Sequence, residues 1–153
     1  QDEINALIAA HEEAPHLRQL QKKLAQEVTT MVHSAEDFEF AVKASQILFS
    51  DTTADALLAL DENQLLDIMD GVPTFNTSLE ALNDGVKIVN LLAETGIFPS
   101  KGEARKMVSA GGVSINKTKV DQVDMLISKQ HLLNSKYLLV QKGKKNYHLV
   151  IAG

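Results

Sequence analysis

No cysteine occurs in the chain. Its absence excludes disulfides, cysteine-ligated zinc and thiol nucleophiles, and it fits a reducing compartment such as the cytoplasm. No apolar run approaches the roughly 18 residues of a membrane-spanning helix. No basic-then-apolar leader opens the chain either, so neither a membrane span nor a secretory signal is expected. Catalytic signatures are missing as well. Gly111-Gly112 has no strand before it and no GKS or GKT after it, and GxSxG does not occur. His11 and His16 stand five apart with Pro15 between them, whereas a two-histidine metal motif needs an unbroken helix and a spacing of four. His33 and His148 are solitary and read as structural or exposed. The acids of the first half are scattered over helices, as on solvated faces. The residues show no active site and no metal centre.

What is present is a 153-residue chain with 44% hydrophobic residues, enough for one packed domain or two small ones. It opens at Gln1, without Met and inside a helical pattern, which points to an excised fragment. The formal charge of −5 is unevenly spread. Residues 1–80 hold 15 acids against 4 Lys and Arg, a net of −11, and residues 81–153 hold 5 against 11, a net of +6. Such a break predicts two domains, the second facing a polyanion.

The first 70 residues read as helices. Ile4, Leu7 and Ile8 form one stripe, and Pro15 opens a new turn. Leu17, Leu20, Leu24, Val28, Met31 and Val32 predict a long amphipathic helix to about His33. Ser34 with Asp37 resembles a capping box ahead of Phe38, Ala41, Val42, Ser45 and Leu48. Asp51 or Thr53 is a candidate cap for a short helix through Leu57, Leu58 and Leu60, and Asp61 with Gln64 caps the next. Gly71 to Ser78, with Pro73, reads as linker. Beyond it, Ser78 or Asp84 caps a helix holding Val86, Ile88, Val89, Leu91 and Leu92. Leu126 to Leu133 stays open between a short helix and a loop. Tyr137–Gln141 and Tyr147–Ile151 are β-rich runs joined by Lys142-Gly143-Lys144-Lys145, a hairpin pattern.

Gly96 to Val120 organises this second half. Ser100 and Glu103 form a capping box, Ala104, Met107 and Val108 give the helix an apolar face, and Lys101, Arg105 and Lys106 lie off that face. Gly111-Gly112 stops the helix, and Val113 to Asn116 alternates like a half-buried strand. A domain of about 70 residues is marginal alone, so its two helices must pack on one side of a small sheet. That leaves the cationic helix face for solvent or ligand. The candidate phosphate-binding set is Lys101, Arg105, Lys106, Lys117, Lys119, Lys142, Lys144 and Lys145.

Ser100 to Val108, Gly111-Gly112-Val113, Asn116 and Val120 resemble the S-four-type RNA-binding domain. Gly143 to Tyr147 is similar to the closing hairpin of bacterial tyrosyl-tRNA synthetases. So is His11 to Ser50, through Ala14-Pro15, Arg18, Gln21-Lys22, Leu24-Ala25, Glu27-Val28-Thr29, Val32-His33 and Leu48-Phe49-Ser50. The resemblance implies an α+β fold: an all-helical anticodon-arm domain at 1–70, a linker at 71–80, and an S-four-like domain at 81–153 with two helices on a small, mainly antiparallel sheet. It implies the tRNA-binding portion of a tyrosine–tRNA ligase, with tRNA for tyrosine as partner. The fragment would be a monomer, and the parent a homodimer through a catalytic domain that this chain lacks. The family's ATP signatures are absent, so the fragment itself needs no cofactor and is inactive, while the parent uses ATP and magnesium. The alternatives are a pseudouridine synthase or ribosome-associated factor carrying the same RNA module, or a helical protein–protein adaptor. One departure is Asn116-Lys117 where the family usually has Asn-Gly. Lysine disfavours positive φ, so the turn takes another form or costs about 1 kcal/mol.

Overall fold

A computed structural model describes residues 2–49 and 54–153, in two units, 1–46 and 47–153. The expected boundary at 71–80 lies inside the second unit. The candidate cap at Asp51 or Thr53 lies outside the described residues.

The first unit is helical: α1 at Asp2–Glu13, a 3-10 turn at Pro15–Leu17, α2 at Gln19–Val32 and α3 starting at Ala35. Proline sits at the first position of the 3-10 turn, where its missing N–H costs nothing. Ser34 starts α3 as the spacing predicts: its Oγ accepts from Asp37 N at 3.0 Å and donates to Asp37 Oδ2 at 2.7 Å.

The second unit is built on a five-stranded sheet ordered β1-β7-β6-β3-β4: β1 at Thr74–Thr77, β3 at Val113–Ile115, β4 at Thr118–Lys119, β6 at Tyr137–Lys142 and β7 at Asn146–Ala152. A separate two-residue pair joins β2, Val86–Lys87, to β5, Leu126–Ile127. Among the described residues, four α-helices complete it: α4 at Ala54–Leu58, α5 at Glu62–Ile68, α6 at Ile88–Glu94 and α7 at Lys101–Ser109. The sheet is mainly antiparallel, the exception being the parallel pairing of β1 with β7. The chain is an α+β protein.

The sequence of β6 explains the layers. Tyr137, Leu138, Leu139 and Val140 are all buried, and successive strand residues point to opposite faces. Both faces must therefore be covered. On one, Leu138, Val140, Val150 and Ala152 join a core with Ile88, Leu91 and Leu92 of α6 and Ala104 and Val108 of α7. The other carries Tyr137, Leu139, Tyr147 and Leu149, also buried. There Glu62, the first residue of α5, accepts from the Tyr137 hydroxyl at 2.6 Å and from Lys136 Nζ at 3.3 Å. Asn134 adds a bond to the Leu60 carbonyl at 3.4 Å. These bonds place the α4–α5 pair, with buried Leu57, Leu65, Ile68 and Met69, on that face. The pair therefore belongs to the sheet, whereas the sequence alone groups it with the preceding helices. Asp61 caps α5 with both halves of a capping box, Gln64 N to Asp61 Oδ1 at 2.8 Å and Asp61 N to Gln64 Oε1 at 3.2 Å.

Three expectations change in detail. The stretch read as linker contains β1, because Leu149 N donates to the Pro73 carbonyl and a parallel register follows from Thr74 opposite Leu149. Val86 lies in β2 rather than in a helix, and α6 starts at Ile88 without a side-chain cap. Leu126 to Leu133 resolves into β5 and a 3-10 turn at Lys129–His131.

The turn between β3 and β4 keeps positive φ at both Asn116 (47°) and Lys117 (68°), so lysine accepts the strained position. Asn116 holds it: Oδ1 accepts from Leu139 N at 2.9 Å, and Nδ2 donates to the His131 carbonyl. Asn116→Ala removes both bonds at a left-handed residue. It is expected to cost about 2–3 kcal/mol in urea unfolding of this unit.

His148, on β7, meets Phe75 edge-on at 5.7 Å, and neither buried ring nitrogen has a hydrogen-bond partner among the described residues. Burial, and secondarily the charge of Lys142, push its pKa below the usual 6.5. The unfolded chain then binds a proton that the folded chain refuses. The His148 contribution is therefore intact above pH 6.5 and is lost as pH falls from there through the depressed folded value. His148→Leu is expected to flatten the fall in unfolding free energy over that window; identical pH profiles for the two proteins would contradict it.

Candidate nucleic-acid interface

α7 is set up locally. Ser100 Oγ accepts from Glu103 N at 3.2 Å, which satisfies one of the free N–H groups at the helix start. Ala104 and Val108 are fully buried and Met107 packs against the same core, so the helix is fixed by one face. Lys101, Arg105 and Lys106 are exposed on the rest. Gly111 then takes φ 66°, Gly111 N bonds the Val108 carbonyl and Gly112 N the Met107 carbonyl at 2.8 Å. A Cβ at Gly111 would meet the end of the Lys119 side chain, at Cε and Nζ. Glycine is required there by its φ, while the exposed Lys119 tail lying across it can swing aside.

The same glycine turn meets the closing hairpin. Gly143 N donates to the Gly112 carbonyl at 2.7 Å, and Lys142 pairs with Val113 across the β3–β6 ladder. The end of α7, Lys119 on β4 and the Gly143–Lys145 turn are therefore neighbours, though they come from three separate stretches of sequence. Lys106, Lys119, Lys144 and Lys145 are exposed there, with no ion-pair partner among the described residues.

The other predicted cations stand apart from this junction or are engaged. Lys101 lies at the opposite end of α7, 3.9 Å from Glu94, with both side chains more than half exposed. Such a pair contributes little. Lys117 turns to the α5 side of the sheet, where Nζ donates to the Tyr147 hydroxyl at 2.8 Å and lies 4.9 Å from the ring centroid. Lys142 is half-buried; its Nζ donates to the Ile97 carbonyl at 3.1 Å and sits 4.3 Å above the Phe98 ring. That cation holds the hairpin against the loop before α7.

One charged neighbour escaped the sequence reading. Lys87 Nζ bonds Asp124 Oδ1 at 2.8 Å, and this bond with the lysine charge holds the Asp124 carboxyl below its usual range, Arg105 adding a smaller pull. Nothing in local spacing signals this, since the partners are 37 residues apart and meet only through the β2–β5 pair. Among the described residues no group of three or more His, Asp or Glu assembles as a metal site.

Comparison with known proteins places this geometry in a family. The chain is 59% identical to the tyrosine–tRNA ligase of Parabacteroides distasonis, over 99% of its own length and 36% of that protein's. It is 58% identical to the ligase of Bacteroides fragilis (98% and 35%) and 55% identical to that of Bacteroides thetaiotaomicron (99% and 35%). The chain thus spans about a third of the length of the curated relatives it matches. The model of the tyrosine–tRNA ligase SYY-like C-terminal domain matches residues 64–150, more than half of the chain and all of the cationic junction, and on that match the chain belongs to this family.

Proposed function

We propose that the chain is the tRNA-binding portion of a tyrosine–tRNA ligase, working in the cytoplasm. Its second unit grips the tRNA for tyrosine and its helical unit lies along the anticodon arm. The observation that carries this is the junction at Gly111-Gly112. There the end of α7, the edge strand β4 and the Gly143–Lys145 hairpin turn meet at the backbone, so Lys106, Lys119, Lys144 and Lys145 branch from segments gathered at one glycine turn. Scattered lysines have no reason to converge on one glycine turn, whereas a phosphate backbone needs several cations within one footprint. Arg105 and Lys101 extend the footprint along α7, with Arg105 able to fork onto a phosphate.

The rest of the unit orients that grip. Residues 54–70 contain Asp55, Asp61, Glu62, Asp67 and Asp70 and no Lys or Arg, and all five acids are exposed. They cover the sheet face opposite α6–α7. A polyanion is repelled there and drawn to the α7 side. Lys117 and Lys142, tied to Tyr147 and Ile97, support the turns more than they contact RNA.

Contacts of this kind position the tRNA and carry no sequence information by themselves. The chain delivers the tRNA, and tyrosine activation with ATP and magnesium belongs to the part of the ligases that it does not match. The fragment acts as a monomer, and the complete ligase pairs into a homodimer through that other part. The anticodon-arm role falls to the helical unit, residues 1–46, and the grip on the tRNA to residues 47–153.

Arg105→Glu with Lys106→Glu is expected to weaken binding of tRNA for tyrosine about tenfold or more. It should also reduce the slope of log affinity against log salt by about 1.5, with an unchanged circular dichroism spectrum. Unchanged affinity in the folded double variant would remove α7 from the interface. A chain that binds no tRNA at any salt concentration would favour the protein–protein adaptor.

A further inference from the structure

Lys117 occupies a place that backbone geometry argues against. The two-residue turn between β3 and β4 has φ 47° at Asn116 and φ 68° at Lys117, and a hairpin turn with both φ positive favours glycine at the second place. Lysine there strains the backbone. What the residue contributes lies at the far end of its side chain. Nζ donates to the Tyr147 hydroxyl at 2.8 Å and stands 4.9 Å from the ring centroid. Tyr147 is a fixed anchor, since it is 8% exposed and pairs with Gln141 inside the β6–β7 ladder. The sheet runs β7-β6-β3-β4, so the tie starts in the β3–β4 turn and passes over β6 to reach β7. That crossing is about 10 Å, two strand spacings, which a lysine and a tyrosine side chain together can bridge.

The strand after the turn needs such a brace. β4 is two residues long and, among the described residues, pairs only with β3; one further backbone bond, Val120 N to the Val113 carbonyl at 2.9 Å, closes it. Asn116 bonds the turn to Leu139 of β6 and to the His131 carbonyl, and Lys117 extends the hold to β7. Its Nζ lies on the α5 side of the sheet, so its charge is turned away from the cationic junction. Lys119, next but one in the chain, lies at that junction. We propose that Lys117 is a positioning residue of the tRNA grip: through Tyr147 it sets the β3–β4 hairpin, and with it the point from which Lys119 reaches toward a phosphate, without touching RNA itself. The proposal rests on the reading of the second unit as a tRNA-binding surface, and it adds a residue that acts on the grip from the opposite face of the sheet.

The test measures binding of an unmodified transcript of tRNA for tyrosine to the 153-residue chain across a salt series. Tyr147→Phe removes the hydroxyl that accepts from Lys117 and removes no cation. It is expected to weaken binding about three- to fivefold and to leave the slope of log affinity against log salt unchanged. Lys117→Gly relieves the positive φ, so it should fold as well as the wild type, weaken binding by a similar factor and also keep the slope. The double variant should bind no more weakly than the weaker single one, as two residues acting through one contact do. Lys117→Arg can still donate to the hydroxyl and stack on the ring, and should bind within about twofold of wild type. Circular dichroism identifies a variant that fails to fold; if Tyr147→Phe is one, Lys117→Met takes its place, since it keeps the ring and removes the bond. A slope reduced by about 0.7–0.9 in Lys117→Gly would make Lys117 a phosphate contact and overturn the proposal. Wild-type affinity in the folded single variants, or losses that multiply in the double variant, would overturn it as well. A wild-type chain that binds no tRNA at any salt concentration would overturn the tRNA-binding reading and this proposal together.

Discussion

The double burial of the β6–β7 ladder is the constraint from which the second unit follows. A strand that reads Tyr-Leu-Leu-Val cannot leave either face in water, since each buried side chain of that size contributes about 1.5–3 kcal/mol. Two helix layers are therefore needed, and the chain supplies α6–α7 on one side and α4–α5 on the other. The hairpin that carries Lys144 and Lys145 is the end of this ladder. The glycine turn that carries α7 into β3 is bonded to that hairpin through Gly143 and Gly112. The backbone of the cationic junction is thus placed by hydrogen bonds at the end of the same ladder that closes the sheet.

How much of this was legible in the sequence depends on the range of the interaction. The start and stop of α7, the Ser34 and Asp61 caps, the Pro15 turn and the β6–β7 hairpin are local events, and residue types within a few positions specify them. β1 was hidden because Thr-Phe-Asn-Thr sits among turn-forming residues; only its partner, β7, makes it a strand. Val86 was hidden for the same reason, since its apolar side chain fits a helical stripe until β5 claims it. The assignment of α4–α5 to the sheet rests on Glu62 meeting Tyr137, 75 residues away, which no periodicity encodes.

The candidate site divides along the same line. That Lys101, Arg105 and Lys106 lie off the apolar face of α7 follows from helical spacing alone. That Lys119 lies across Gly111 follows only from the β3–β4 pairing. Lys142 and Lys117 show the converse: composition counts them with the other cations, yet packing commits the first to a carbonyl and an aromatic ring and the second to a tyrosine hydroxyl. A count of basic residues therefore overstates the number available to a polyanion.

The pairing of β1 with β7 also governs the order in which this unit can be assembled during synthesis. The two strands are neighbours in the sheet but enclose residues 78–145 between them, and β7 is also the partner of β6. Until β7 has left the ribosomal tunnel, β1 has no ladder, β6 has one open edge, and the apolar sides of α4 and α5 have nothing to close on. Such long-range pairing makes folding slow. The nascent unit must therefore carry exposed apolar helices through most of its translation, a period in which a holding chaperone has a surface to bind.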